Sequence, residues 1–365
     1  MNMLFDLDYT FKIVVLGCSL LGFISGAMGV FAVLRKQSLL GDAISHAALP
    51  GIALVFLFTA SKHPLVLISG AILAGILGTI LYALVKYNSS LKSDAILGIV
   101  LSVFFGFGLF LMTLIQRLPL PNKAGLKTYL FGNAATILSQ DLWIVLGFGS
   151  CLFFVLLLFW KEFKVLMFDS HFAETMGYPV KRLEIMLTIL IVIAIVIGLQ
   201  MVGVVLMSAM IIAPASAARQ WTDRLSVMVL LSGGIGALSG SIGTILSTIF
   251  FRLPTGPSIV LVVSFFVLLS LLFAPNRGLL FAFYRQYRNR YTIAGETLLN
   301  HMFLFSKNHQ DPYYPHDRQA LEVLSSVKID RALNQLRVKV NLKRKLYIEV
   351  FLKDISPEHL QLLMM

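Results

Sequence analysis

The sequence is poor in charged residues and in cysteine. Asp, Glu, Lys and Arg make up 13% of its 365 residues, whereas a soluble domain carries about 25%. The two cysteines, Cys18 and Cys151, both lie in apolar runs, so neither a disulfide framework nor a cysteine zinc site is indicated. Hydrophobic residues make up 58% of the chain, and the mean hydropathy is +0.84. This composition excludes a soluble globular protein and predicts a polytopic membrane protein.

Sequence motifs of several enzyme classes are also missing. No GxxxxGK[ST] loop is present, so the chain lacks the usual phosphate cradle for ATP. No HExxH or GxSxG element is present either, which argues against an intramembrane hydrolase. We therefore predict no catalytic residues and no permanently bound cofactor. If the protein uses ATP, the nucleotide has to bind a separate subunit.

The apolar runs predict an all-α bundle. One crossing takes about 20 apolar residues, and nine candidate spans are found, of which 203–218 is the shortest. The nine predicted spans are 12–34, 39–60, 64–85, 95–115, 142–160, 183–202, 203–218, 225–251 and 256–274. The small residues at 232–243 indicate close helix packing, either with another subunit or gate, or within the chain.

The distribution of Lys and Arg predicts the orientation of the bundle. Cytoplasmic loops of membrane proteins are enriched in these residues, which also explains the net charge of +12 without a nucleic acid partner. The richer loops contain Arg35, Lys36, Lys86, Lys92, Lys161, Lys164, Lys181, Arg182, Arg219 and Arg224. We predict that these loops are cytoplasmic, that the N-terminus is outside and that residues 276–365 are inside.

Two ionisable residues lie within the second predicted span. Asp42 and His46 are four residues apart, so a helix places them on one face. An aspartate near the middle of a membrane helix costs about 2.5–3.5 kcal/mol, and such residues are usually functional. A carboxylate and an imidazole together suit a divalent transition metal. The alternative is a hydrogen-bonded pair that serves helix packing.

Prolines interrupt two of the predicted spans. Pro50 follows Asp42 and His46 in the second span, and Pro214 lies among small residues in the seventh. The two spans lie five apart and therefore run in opposite directions. Proline-broken helices at matching positions are typical of a central substrate pathway. We predict that Pro50 and Pro214 mark helix breaks that act in gating.

The loop between the fifth and sixth spans predicts a short capped helix. Asp169 or Ser170 is suited to accept the free N–H groups at its start. Gly177 suits the left-handed residue after its end, and Pro179 prevents continuation. Such a helix has the form needed to transmit force from a soluble partner, although a simple connector remains the alternative.

Four segments together resemble one family of transport proteins. They are residues 34–54 (LRKQSLLGDAISHAALPGIAL), 202–209 with 212–215 (VGVVLMSA and IAPA), 168–177 (FDSHFAETMG) and 130–133 (LFGN). Across about residues 10–280 the chain resembles the permease subunits of the zinc/manganese/iron ABC importers. The resemblance implies a type II importer fold of about eight or nine membrane helices.

The resemblance also implies function and partners. It implies a permease subunit that moves Zn²⁺, Mn²⁺ or Fe²⁺ into the cytoplasm across the cell (inner) membrane. The implied partners are an ABC ATPase subunit, an extracytoplasmic metal-binding protein and a second permease copy, all within membrane lipid. By position, Asp42 and His46 match the family's metal-contacting residues. Phe172, Ala173, Glu174 and Gly177 match its coupling helix to the ATPase.

Two other cargo hypotheses remain open at this point. The same fold serves permeases for siderophore- or cobalamin-type molecules, although an acid–imidazole pair fits such a cargo poorly. An ion-coupled secondary carrier, with Asp42 taking the coupling proton, is the other alternative.

The tail is predicted to be a separate domain. We divide the chain into a transmembrane permease domain, 1–280, and a cytoplasmic extension, 281–365. The extension is predicted to contain helices followed by a strand at 345–352, an order that resembles the start of the winged-helix metal regulators fused to some family members. Its basic and acidic residues are nearly balanced, which argues against DNA binding by the tail.

Overall fold

The computed structural model describes residues 9–37, 39–61, 63–119, 139–250, 253–275 and 277–286. Between residues 9 and 273 its described residues form eleven helices, α1 to α11. These are α1 Tyr9–Leu34, α2 Leu40–Thr59, α3 Pro64–Asn88, α4 Ser93–Arg117, α5 Ser139–Leu158, α6 Trp160–Phe168, α7 Ser170–Thr175, α8 Val180–Val202, α9 Val204–Trp221, α10 Leu225–Ile249 and α11 Thr255–Phe273. Residues 279–286 are also helical.

The helices confirm an all-α polytopic membrane protein. Eight of them, α1 to α5, α8, α10 and α11, are long and apolar enough to cross a membrane. The described residues contain no β-strand. The seventh predicted span, 203–218, corresponds to α9, an 18-residue helix that is not among these eight.

Helix α1 lies at the centre of the bundle and packs against α5, α8, α9 and α10. Its closest neighbour is α10, where glycines remove the side chains between the two backbones. A methyl group on Gly26 would lie 2.5 Å from the carbonyl oxygen of Ser232, whose own hydroxyl donates a 2.5 Å hydrogen bond to the Gly26 carbonyl. The small residues at 232–243 therefore serve packing within the chain, which was one of the two alternatives.

The prediction that Pro50 and Pro214 break their helices is wrong. Helix α2 continues through Pro50, and α9 continues through Pro214. A proline inside a helix removes one hydrogen bond, and the neighbouring helices hold both helices together in spite of it. The break in this region lies at Gly203 instead, between α8 and α9. Its φ of +83° is in the left-handed region, which glycine adopts without a Cβ penalty.

The chain divides into two compact units, Met1–Gly278 and Leu279–Met365. The predicted elements of the tail, including the strand at 345–352, lie outside the described residues, as does the 130–133 motif. The winged-helix character of the tail therefore stays a prediction.

Candidate functional site

Helix α2 begins at Leu40, shortly after the turn at Arg35 and Lys36 that follows α1, and this places Asp42 in its first turn. This position agrees with the predicted second span, 39–60, in which Asp42 is the fourth residue. A carboxylate is stabilised in the first turn because the free N–H groups and the helix dipole present positive charge there. The positive end of the helix dipole thus explains why a negative charge is tolerated at Asp42.

His46 lies beside the middle of α4. The imidazole ring of His46 contacts the ring of Phe105 in an edge-to-face arrangement, with centroids 4.5 Å apart and planes at 69°. Phe105 is the central residue of α4, which runs from Ser93 to Arg117. The start of α2 is therefore level with the interior of a helix long enough to span the membrane.

The two side chains face each other on one side of α2. His46 Nε2 lies 3.5 Å from Asp42 Oδ1, with side-chain exposures of 24% and 45%. This distance exceeds the 2.7–3.2 Å of a strong N–H···O bond, so the two groups are near neighbours that leave room for a shared ligand. The other ring nitrogen, Nδ1, is buried and has no hydrogen-bond partner in the described chain. Nε2 and the carboxylate are therefore the atoms of the pair that a ligand can reach.

Asp42 and His46 alone are too few ligands for a complete metal site. Among the described residues, no group of three or more His, Cys, Asp or Glu side chains could hold a metal ion. The predicted pair of Asp42 and His46 is thus brought together, but the described chain supplies no third ligand. Tetrahedral zinc sites need four ligands, or three and a water molecule.

Helices α2 and α9, the two that contain the prolines, pack against each other beside the pair. A methyl group on Gly41 would lie 3.3 Å from the Cα of Ser208. Pro50, one turn beyond His46, lies against Gly108 of α4, where a methyl group would lie 3.1 Å from the Pro50 nitrogen. Pro214 is buried within α9. Pro50 and Pro214 thus lie at helix contacts, and their gating role stays a prediction.

The short helix predicted between the fifth and sixth spans is present as α7. The Asp169 carboxylate accepts hydrogen bonds from the backbone N–H groups of His171 (2.8 Å) and Phe172 (3.2 Å), as expected of an N-cap. Gly177 has a φ of +83°, and the Tyr178 N–H returns to the Ala173 carbonyl at 3.1 Å. Both caps are therefore those that the sequence predicts.

The surface of α7 differs from the prediction at one residue. Phe172, Glu174 and Gly177 are exposed, as a contact surface requires, but Ala173 is 1% exposed and faces the protein. Ala173 therefore supports the helix from beneath and does not present a surface. Sequence reasoning missed two exposed apolar residues that flank the helix, Phe168 at 89% and Met176 at 62%. The signal in the sequence was their position, because Phe168 directly precedes Asp169 and Met176 directly precedes Gly177.

Sequence reasoning also missed a group of charged residues at the end of α1, α3 and the start of α8. Glu184 accepts from Lys86 Nζ at 2.7 Å and from the Tyr87 hydroxyl at 2.8 Å, and Arg35 lies 3.3 Å away. The side chains of Arg35 and Glu184 are only 8% and 15% exposed. We call Arg35, Lys86, Tyr87 and Glu184 the Glu184 cluster. Glu184 is the one acidic residue of α8, and this was the signal in the sequence.

The fold and the site define a multi-span helical membrane protein of the kind that transports solutes. The family model described as "ABC 3 transport family" matches residues 7–274. The chain belongs to this family, and the resemblance to ABC permeases is confirmed.

The names of several relatives state a cargo. The chain is 46% identical over 281 residues to the zinc transport system membrane protein TroC of Treponema pallidum, a match that covers 77% of this chain and 94% of the relative. It is 47% identical over 266 residues to the manganese transport system membrane protein MntC of Bacillus subtilis, covering 73% of this chain and 61% of that relative.

Two solved structures share the fold. One is PsaBC from Streptococcus pneumoniae in complex with Fab, with a TM-score of 0.65 and 33% identity, covering 74% of this chain and 94% of that chain. The other is an inward-facing conformation of a putative metal-chelate type ABC transporter, with a TM-score of 0.55 and 16% identity over 69% of this chain and 82% of that chain. The second likeness concerns the fold alone.

Proposed function

We propose that this chain is the membrane permease subunit of an ATP-driven importer that moves a divalent transition metal ion, Zn²⁺, Mn²⁺ or Fe²⁺, into the cytoplasm. The observation that carries the proposal is the Asp42–His46 pair, with Nε2 and a carboxylate oxygen facing each other at 3.5 Å inside a membrane bundle. The zinc and manganese systems named among the relatives support this class of cargo.

The incomplete site supports a second permease copy. Each chain offers one imidazole nitrogen and one carboxylate, and two copies related by a two-fold axis offer four ligands. Four ligands of these types suit Zn²⁺ and Mn²⁺. The partial exposure of Asp42 and His46 in a single chain, 45% and 24%, is what a site shared with another copy requires.

The pair has the properties of a transit site more than those of a storage site. It contains no thiolate, and His46 Nδ1 has no hydrogen-bond partner in the described chain. Ligand histidines in tight sites usually donate that second N–H to a carboxylate or carbonyl, which orients the ring and increases affinity. A cargo ion must leave again, so moderate binding at this point serves transport.

The remaining parts of the importer follow from the same assignment. Helix α7, with Phe172, Glu174 and Gly177 exposed, transmits the motion of a separate ABC ATPase subunit. An extracytoplasmic metal-binding protein delivers the ion on the other side. The permease itself has no enzymatic step. The basic loops orient it in the cell membrane with the N-terminus outside and the C-terminal extension inside.

Uptake by the reconstituted complex tests the proposal. The permease and its ATPase are placed in lipid vesicles with the metal-binding protein, and ATP-dependent accumulation of radioactive Zn²⁺ and Mn²⁺ is measured. Asp42→Ala is expected to reduce uptake at least tenfold while the complex still assembles.

The matched control is Asp94→Ala, which removes another carboxylate from the first turn of a membrane helix, α4, at an exposed position. This variant is expected to transport normally. Full uptake by Asp42→Ala, or metal accumulation that a proton gradient drives without ATP, contradicts the proposed function.

A further inference from the structure

The Glu184 cluster joins three helices at one end of the bundle. Glu184 Oε2 lies 2.7 Å from Lys86 Nζ of α3 and 3.3 Å from Arg35 Nη2, directly after α1. Arg35 Nη1 also donates to the Glu184 carbonyl at 3.3 Å and to the Thr188 hydroxyl at 3.1 Å. One carboxylate on α8 is thus held by two cations and fixes the position of α8 relative to α1 and α3.

On one side the cluster is connected to the coupling segment. Helix α7 ends at Thr175, and a short connection through Gly177 and Pro179 leads into α8 at Val180. Glu184 lies in the second turn of α8, so the path from α7 to the carboxylate is mostly helix. The buried Ala173 and the Tyr178 N–H bond to its carbonyl fasten α7 to this connection. A short, hydrogen-bonded connection therefore joins α7 to the part of α8 that contains Glu184.

On the other side the cluster is connected to the metal-contacting helix. Arg35 is the first residue of the turn that follows α1, seven residues before Asp42. The same turn is held by Gln37, a buried residue whose Nε2 donates to the Tyr82 hydroxyl of α3 at 2.7 Å. The turn leads directly into α2, since the Leu40 N–H donates to the Gln37 carbonyl at 3.2 Å. A displacement of Arg35 is thus passed to the start of α2.

We propose that Glu184 is a positioning residue that links the coupling segment α7–α8 to the turn before α2, the helix that carries Asp42 and His46. Separation of Glu184 from Arg35 and Lys86 leaves buried charges without partners, which is strongly unfavourable. When the ATPase moves α7, the cluster therefore moves as one unit and shifts the start of α2. The inference rests on the proposed role as an ATP-driven permease, but it does not depend on which ion is transported.

The first test compares transport with ATP hydrolysis in the reconstituted complex. Glu184→Gln keeps the size of the side chain but removes the charge that holds the two cations. We expect ATP hydrolysis within twofold of the wild type and at least a tenfold loss of metal ions moved per ATP. Asp223→Asn is the control because it removes an exposed ion pair, with Arg277 at 2.7 Å, elsewhere in the permease. The control is expected to leave both rates unchanged.

The second test follows the turn itself and needs no cargo. Leu39, which is 44% exposed, is replaced by cysteine in a Cys151→Ser background, because Cys18 is buried and Cys151 is the exposed cysteine. The rate of thiol labelling is measured with and without a non-hydrolysable ATP analogue. We expect the nucleotide to change this rate at least threefold, and Glu184→Gln to abolish the change.

The outcomes separate the link from the proposed cargo. Nucleotide-dependent labelling that persists in Glu184→Gln, or that is absent from the wild type, overturns the link. If labelling depends on Glu184 but the wild-type complex accumulates no divalent metal, the link stands and the proposed cargo fails. If the complex with Glu184→Gln does not assemble, both measurements are repeated with Lys86→Gln. This variant removes one of the two cations that hold Glu184, at a side chain that is 26% exposed. The same results then support or overturn the link.

Discussion

Gly41 of α2 and Ser208 of α9 pack so closely that a methyl group on Gly41 would lie 3.3 Å from the Cα of Ser208 and 3.5 Å from its Cβ. The contact joins α2 and α9, the helices that contain Pro50 and Pro214, immediately before Asp42. It leaves little room for a side chain, so the distance between α2 and α9 at the site depends on this glycine.

Substitution of Gly41 by valine is therefore expected to impair transport. The added isopropyl group has to displace α9, and such overpacking costs about 1–3 kcal/mol. The measurement is ATP-dependent metal uptake at equal amounts of assembled complex, with a predicted decrease of at least fivefold. Gly234→Val is the matched control, since a Cβ at Gly234 of α10 meets nothing within 4 Å. Equal uptake by both variants contradicts a role for the α2–α9 contact.

Phe105 is expected to set the orientation of His46. Edge-to-face aromatic pairs contribute about 0.5–1.5 kcal/mol beyond their buried area, which corresponds to a few-fold change in affinity. Phe105→Ala should therefore raise the metal concentration for half-maximal uptake a few-fold and leave the maximal rate less affected.

The control for Phe105 is Phe110→Ala on the same helix, because Phe110 is 62% exposed and contacts no ring in the described chain. An unchanged half-saturation concentration in Phe105→Ala shows that the ring contact does not position the imidazole.

Features that depend on neighbours in sequence could be predicted, and features that depend on distant residues could not. The caps of α7 follow from Asp169 and Gly177, which act on backbone groups within a few residues, and the membrane spans follow from continuous apolar runs. The spacing of Asp42 and His46 likewise needs only the helix period.

The lone acidic residue of α8 was a signal for Glu184 itself, but no local pattern identifies the partners of its cluster. Arg35 and Glu184 are separated by 149 positions, and nothing in a local pattern pairs them. The burial of Ala173 depends in the same way on the helices packed beneath α7. The boundary between the predicted spans 183–202 and 203–218 coincides with the helix break at Gly203. The predicted breaks at Pro50 and Pro214 were wrong because tertiary packing holds α2 and α9 intact around the prolines, so local propensity was overruled there.

The N-cap of α7 is expected to be necessary for coupling to the ATPase. Asp169→Ala removes the acceptor for two backbone N–H groups, and loss of such a cap costs about 1 kcal/mol. For a six-residue helix this is enough to fray the first turn and displace Phe172. We expect weaker binding of the ATPase and a lower rate of metal-stimulated ATP hydrolysis. Asp169→Asn retains a side-chain oxygen and should keep both ATPase binding and ATP hydrolysis near the wild-type values. If Asp169→Asn is as defective as Asp169→Ala, the negative charge matters and the cap does not.

At the contact between α1 and α10, the contributions of close packing and of a hydrogen bond to stability can be compared. Ser232→Ala removes an interhelical hydrogen bond, which in membrane proteins contributes about 0.6 kcal/mol on average. Gly22→Ala places a methyl group 2.6 Å from the carbonyl carbon of Gly236, a backbone atom that moves only if the helices separate, at about 1–3 kcal/mol. Gly22→Ala is therefore expected to lower the midpoint of thermal unfolding of the purified permease more than Ser232→Ala does. Gly234→Ala, in open space on α10, serves as the control and should leave the midpoint unchanged. If Ser232→Ala lowers the midpoint more than Gly22→Ala does, the hydrogen bond, and not the close backbone approach, holds α1 in place.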